Sequence, residues 1–135
     1  MISSLCEKSL TMEKETVKLY AFITVGAAGA VSSFKGAGIS NVVKEVADGQ
    51  YTVTLDQKWQ RLLGVNHQII DDALSAVAQS QVLNDFATVQ TAILSGTPAF
   101  KVQLIDYAGA AVNAAAGAVV QLEITLRRSS VDIWD

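Results

Sequence analysis

Cysteine is nearly absent from this chain: Cys6 is the only one among 135 residues. A single thiol cannot close an internal disulfide, and clustered-cysteine metal centres are excluded. That usage fits assembly in a reducing compartment. Histidine is equally scarce, with His67 alone, and proline occurs once, at Pro98. One histidine without clustered cysteines cannot complete a tetrahedral zinc site. Charged residues make up 17% of the chain, below the roughly 25% usual in globular domains. The net charge is −3 and the sequence pI about 5.0. Arg127-Arg128 is the only adjacent basic pair. Nucleic-acid binders need a basic patch, so no nucleic-acid partner is expected. No apolar run reaches the ~18 residues that span a bilayer. The start, MISSLCEKSLTMEKE, lacks the basic opening and apolar run of a signal peptide. These absences predict a chain made in a cytoplasm, with no membrane partner.

What is present is strand pattern. Gly49 to Asp56 reads GQYTVTLD. Tyr51, Val53 and Leu55 fall on one face and Thr52, Thr54 and Asp56 on the other. Ala118 to Arg127, AVVQLEITLR, alternates Val120, Leu122, Ile124 and Leu126 against Gln121, Glu123, Thr125 and Arg127. Period-two alternation marks strands with one wet face. The expected fold class is all-β, mainly antiparallel: a small sandwich or barrel with one or two short helices and extended terminal arms. The length suits one domain with a real core. Three parts are expected: an N-terminal arm at 1–15, a β-sandwich domain at 16–128 and a C-terminal tail at 129–135.

Thr16 to Val25 is read as a strand covered on both faces, because Tyr20 and Phe22 lie opposite Val17, Leu19, Ala21 and Ile23. GAAGA (Gly26 to Ala30) is a turn, followed by a short strand at Val31 to Phe34 and another turn at Lys35 to Gly38. Ile39 to Ala47 fits strand or helix, its valines favouring strand. Asp48-Gly49 signals a type I′ hairpin. In Asp56 to Gly64 the spacing of Trp59, Leu62 and Leu63, with a capping Asp56 and a terminating Gly64, predicts one or two helical turns. Trp59 would plug an end of the sandwich. Val65 to Ile70 is a strand. Residues 71–94 are ambiguous, with helix at Ala73 to Ala78 and strand at Thr88 to Leu94 as the expectation. SGTP (Ser95 to Pro98) turns into a strand at Ala99 to Tyr107. Small residues at Ala108 to Gly117 connect it to the last strand, expected to pair antiparallel with it.

Few groups offer chemistry. As a general base, His67 would need Asp71 or Asp72 and a nucleophile such as Ser75. Four- to five-residue spacing in a strand does not bring them together, so a structural or surface role is favoured. Asp71-Asp72 could hold a hard cation, but no EF-hand spacing surrounds it. The glycines between Gly26 and Gly38 match neither a P-loop nor a dinucleotide fingerprint. Tyr51 and Phe100 alternate with aliphatics as core residues do. Trp134, beside Ile133 at the end of the chain, is expected to dock onto its own domain or a neighbour. Arg127 and Arg128 suit either an acidic partner surface or a solvated strand end.

Several segments together resemble small β-sandwich structural proteins of tailed bacteriophages. They are the first strand leading into GAAGAV (Gly26 to Val31), GISNVVK (Gly38 to Lys44), GQYTVTL (Gly49 to Leu55) followed by an aromatic and Leu-Leu, and the ending from Val102 to Val131. The resemblance covers roughly residues 16 to 131. It implies a non-enzymatic virion component, similar to capsid decoration (cement) proteins, made in the host bacterial cytoplasm. Its partners would be the major capsid protein lattice and further copies of itself, as a homotrimer, with no cofactor. Interaction residues on this reading are Ile2, Leu5, Arg127, Arg128, Ile133 and Trp134. A tail, collar or fibre-attachment protein is the alternative within virions. A carbohydrate-binding module would need an exposed aromatic platform, which the sequence does not make evident. A hydrolase built on His67 is the remaining alternative.

Overall fold

Alternating apolar residues can leave water only if two strand faces meet, and here they do. The computed structural model describes residues 16–128. Its order is β1 (Thr16–Val25), a single 3-10 turn (Ala27–Gly29), β2 (Val31–Lys35), β3 (Ile39–Lys44), β4 (Gln50–Leu55), β5 (Arg61–Ile70), β6 (Val77–Leu83), α1 (Phe86–Leu94), β7 (Ala99–Asp106) and β8 (Val119–Arg127). Two four-stranded sheets result, β2-β1-β8-β5 and β3-β4-β7-β6, and every pairing in them is antiparallel. The described residues form an all-β sandwich with one α-helix.

The core lies between the sheets. Tyr51, Val53 and Leu55 meet Phe100, Val102 and Leu104 within one sheet; Ala21, Ile23 and Val25 meet Val120, Leu122, Ile124 and Leu126 within the other. All are buried, as the alternation predicts. Tyr51 also ties the sheets together, its hydroxyl donating to the Gly29 carbonyl at 2.6 Å. Burial pushes the Tyr51 phenol above its ordinary pKa.

Several expectations are corrected. β8 does not pair with β7. It lies between β1 and β5 in the opposite sheet, because the 107–118 connection crosses over the core. Several hydrogen bonds hold that crossing. Asn113 accepts from the Gly49 amide at 2.6 Å, and Gly117 donates its amide to the Val25 carbonyl at 2.8 Å. The segment Asp56 to Gly64 forms no helix. Trp59 is buried as the plug expected, but β5 begins at Arg61 to match the length of β8, with a register shift between Leu62 and Gly64. Leu62 is buried and Leu63 exposed, the signature of a strand. Pairing with a central strand here outweighs local helical spacing.

Residues 71–94 reverse the expected order. Val77–Leu83 is a strand at the sheet edge beside β7, and Phe86–Leu94 is the helix. The deciding signal is Asp85, whose carboxylate caps the helix by accepting from the Thr88 amide at 2.8 Å. At Asp48-Gly49 only the glycine has positive φ, at 65°, whereas a type I′ turn needs it at both residues. The loop is longer instead, closed by Glu45 donating its amide to the Gln50 carbonyl at 2.8 Å. Finally, β1 is covered on one side only, for Tyr20 and Phe22 remain 40% and 38% exposed.

Candidate functional site

The ends of the sandwich strands decide where the terminal arms begin. Thr16 opens β1 directly opposite Arg127, which closes β8, and Arg61 opens β5 opposite the same residue. The described chain therefore begins and ends at one corner. α1 and Trp59 sit beside it: Trp59 donates its amide to the Ile93 carbonyl at 3.2 Å, and Gln60 donates to the Arg127 carbonyl at 3.0 Å. Gln90 on the helix makes a reciprocal pair with Leu62, at 3.2 and 3.1 Å. The two candidate arginines differ: Arg127 is buried at 7% exposure and Arg128 is exposed. Ile2, Leu5, Ile133 and Trp134 lie outside the described residues.

His67 faces inward along β5 and reaches across the open edge of the sandwich. Its Nδ1 lies 2.7 Å from Ser80 Oγ on β6. Asp71, Asp72 and Ser75 are not its partners; Asp71 accepts from the Asp72 amide and Ser75 from the Val77 amide. Burial holds the imidazole below its ordinary pKa. No carboxylate orients the ring among the described residues, so the pair works as a strut between sheets. Among the described residues, no group of three or more His, Cys, Asp or Glu side chains is placed to hold a metal ion.

The concavities among the described residues include two of note. One, of about 150 Å³, lies between α1 and the sheet, lined by Leu83, Asn84, Val89, Phe100 and Lys101 among others. Asn84 at its lip has φ 96°, a conformation uncommon outside glycine. The other is a depression of about 110 Å³ on the outer face of the β1 sheet, lined by Asn66, His67, Gln68, Gln121 and Glu123. Register places Tyr20 beside Glu123 and Phe22 beside Gln121. It also places Glu123 beside Asn66 and Gln121 beside Gln68. Two parallel rows follow, Tyr20–Glu123–Asn66 and Phe22–Gln121–Gln68. Lys18 pairs with Glu123 at 3.1 Å, and the hydrogen bond and charge of Glu123 raise the Lys18 pKa. The aromatic platform not evident in the sequence is thus present on this face. The missed signal was Tyr20 and Phe22 themselves, two large residues in phase on β1.

No protein-family model, curated protein or solved structure matches this chain.

Proposed function

We propose that this protein is a non-enzymatic virion component of a tailed bacteriophage, a capsid decoration protein that binds the head lattice and stabilises it. One observation carries the reading: Thr16 and Arg127 are register partners, so the described sandwich begins and ends at the same corner. A body with two arms at one end can lay both on a surface below it and span neighbouring subunits. Each arm contact can be weak, because tethering makes the second binding event intramolecular. The sequence resemblance to phage sandwich proteins supports the same reading. Small residues at the corners let backbones of symmetry mates approach closely, and a homotrimer fits a threefold point of a lattice.

The test is the solution mass by light scattering, with and without empty shells of the parent particle. A trimer that saturates shells at many copies supports decoration. An oligomer that binds at only a few copies per particle, or ignores the shells, sinks it in favour of a tail, collar or fibre-attachment role.

A further inference from the structure

We infer that the outer face of the β1 sheet is a binding site for a neutral oligosaccharide. The inference does not depend on the decoration reading, since this face is a flank of the sandwich, away from the corner on which that reading rests. Three features point to a polyhydroxylated ring rather than to another protein surface.

The first is repetition. Each of the two rows holds one aromatic ring, then an acceptor-bearing side chain, then an amide. Tyr20 and Phe22 stand two residues apart on one strand, about 6.7 Å along it, while each row crosses two strand spacings, roughly 10 Å. That lattice offers adjacent sugar units equivalent contacts: a ring face on one side and hydrogen-bonding groups on the other. The apolar C–H face of a pyranose stacks on an aromatic ring, which carries large apolar area with few rotatable bonds.

Open hydrogen-bonding capacity is the second feature. Among the described residues, nothing bonds the side-chain amides of Asn66, Gln68 or Gln121. Elsewhere among the described residues, Gln103 donates to the Asp48 carbonyl at 2.6 Å and Asn113 and Gln90 hold backbone groups, while the exposed Gln57, Gln60, Gln79 and Gln81 are open but do not gather beside aromatic rings on one face. An amide offers two donors and two acceptor positions, the set that adjacent hydroxyl groups match. Covering these groups with an apolar protein surface would leave them unsatisfied, at a desolvation cost.

Charge is the third. Glu123 is the one acid lining the depression, and Lys18 neutralises it at 3.1 Å. The one further cation bordering the rows among the described residues is Lys35, opposite Phe22; a single lysine at the edge is not the cluster an acidic sugar calls for, so the ligand class is neutral. Glu123 retains acceptor capacity toward a hydroxyl beyond its bond to Lys18.

The experiment titrates the isotope-labelled full chain with cellohexaose, maltohexaose and chitohexaose in turn, followed by amide chemical shifts. At least one should bind, with shifts centred on β1, β8 and β5 around Tyr20, Phe22, Gln121 and Gln68. The Tyr20→Ala/Phe22→Ala variant should bind at least about tenfold more weakly, a factor worth about 1.4 kcal/mol. Its melting temperature should change little, because both side chains are outside the core. Lys101→Ala, at the other concavity, should bind as the parent does. The inference is overturned if none of the three shifts any signal at roughly 10 mM, where even millimolar affinity is visible. Shifts confined to the α1 concavity would overturn it too. So would a double variant of lower solution mass than the parent, which would make this face a contact between copies.

Discussion

At the scale of single residues, burial separates structural from surface roles. Leu122 is 1% exposed at the centre of β8, flanked by Ala21 and His67 on the neighbouring strands. Leu122→Ala should lower unfolding free energy by about 2–5 kcal/mol, measured in urea. A cost below about 0.5 kcal/mol would show that the side chain does not occupy a tightly packed site. His67 gives a pH signature. Its folded-state pKa lies below the ordinary value of 6.5 because burial disfavours the imidazolium. The unfolded chain therefore takes up the proton first as pH falls. Stability should be complete above about pH 6.5 and decline below it, levelling off once the folded state is also protonated. His67→Gln should flatten that acid limb in denaturation midpoints collected from pH 7.5 down to about 5. An unchanged slope would mean the carboxylates govern it.

Among elements, the β3–β4 loop and the 107–118 crossover depend on each other. Gly49 has φ 65°, and a Cβ there would sit 2.0 Å from the Val112 carbonyl oxygen. Its amide is held by Asn113 at 2.6 Å, and its carbonyl accepts from the Leu104 amide at 2.9 Å. Gly49→Ala should therefore destabilise by more than ~1 kcal/mol, the clash and the positive φ outweighing the small gain from a less free unfolded chain. Asn113→Ala should shift the same loop while leaving β1 and β8 signals in place. A thermal scan with amide exchange read strand by strand distinguishes these outcomes. Were both variants as stable as the parent, the crossover would not be pinned through this loop. β5 and α1 form a second coupled pair through Gln90 and Leu62.

For the whole molecule, the organising fact is that β1 begins and β8 ends at one corner of the sandwich while a flank carries the aromatic rows. Deleting residues 1–15 should leave the sandwich folded, with little change in melting temperature, and weaken attachment to shells. Unaltered shell binding after that deletion would remove the arm from the attachment mechanism. If both proposed activities hold, saccharide binding should persist in the truncated chain, because the rows lie on β1, β8 and β5 rather than on the arm.

Much of this was legible in the residues. Alternation in GQYTVTL, AFKVQL and VVQLEITL placed nearly every inward side chain, because a strand's period of two leaves only one choice of face. Glycine and proline marked most of the turns, and the class of the fold followed. Ile2, Leu5, Ile133 and Trp134 lie beyond the described residues. Other features required three dimensions. Whether Arg61–Gly64 was helix or strand depended on β8 as a pairing partner, and the 71–94 region on which stretch could extend the sheet beyond β7. Which sheet received β8 was decided by the crossover, since local pattern is blind to the partner of a strand. The outward turn of Tyr20 and Phe22, and their alignment with Glu123, Gln121, Asn66 and Gln68, arose only from register among three strands distant in sequence. Alternation along a strand is a local property of the chain, whereas neighbours across a sheet are set by which pairing buries the most apolar surface.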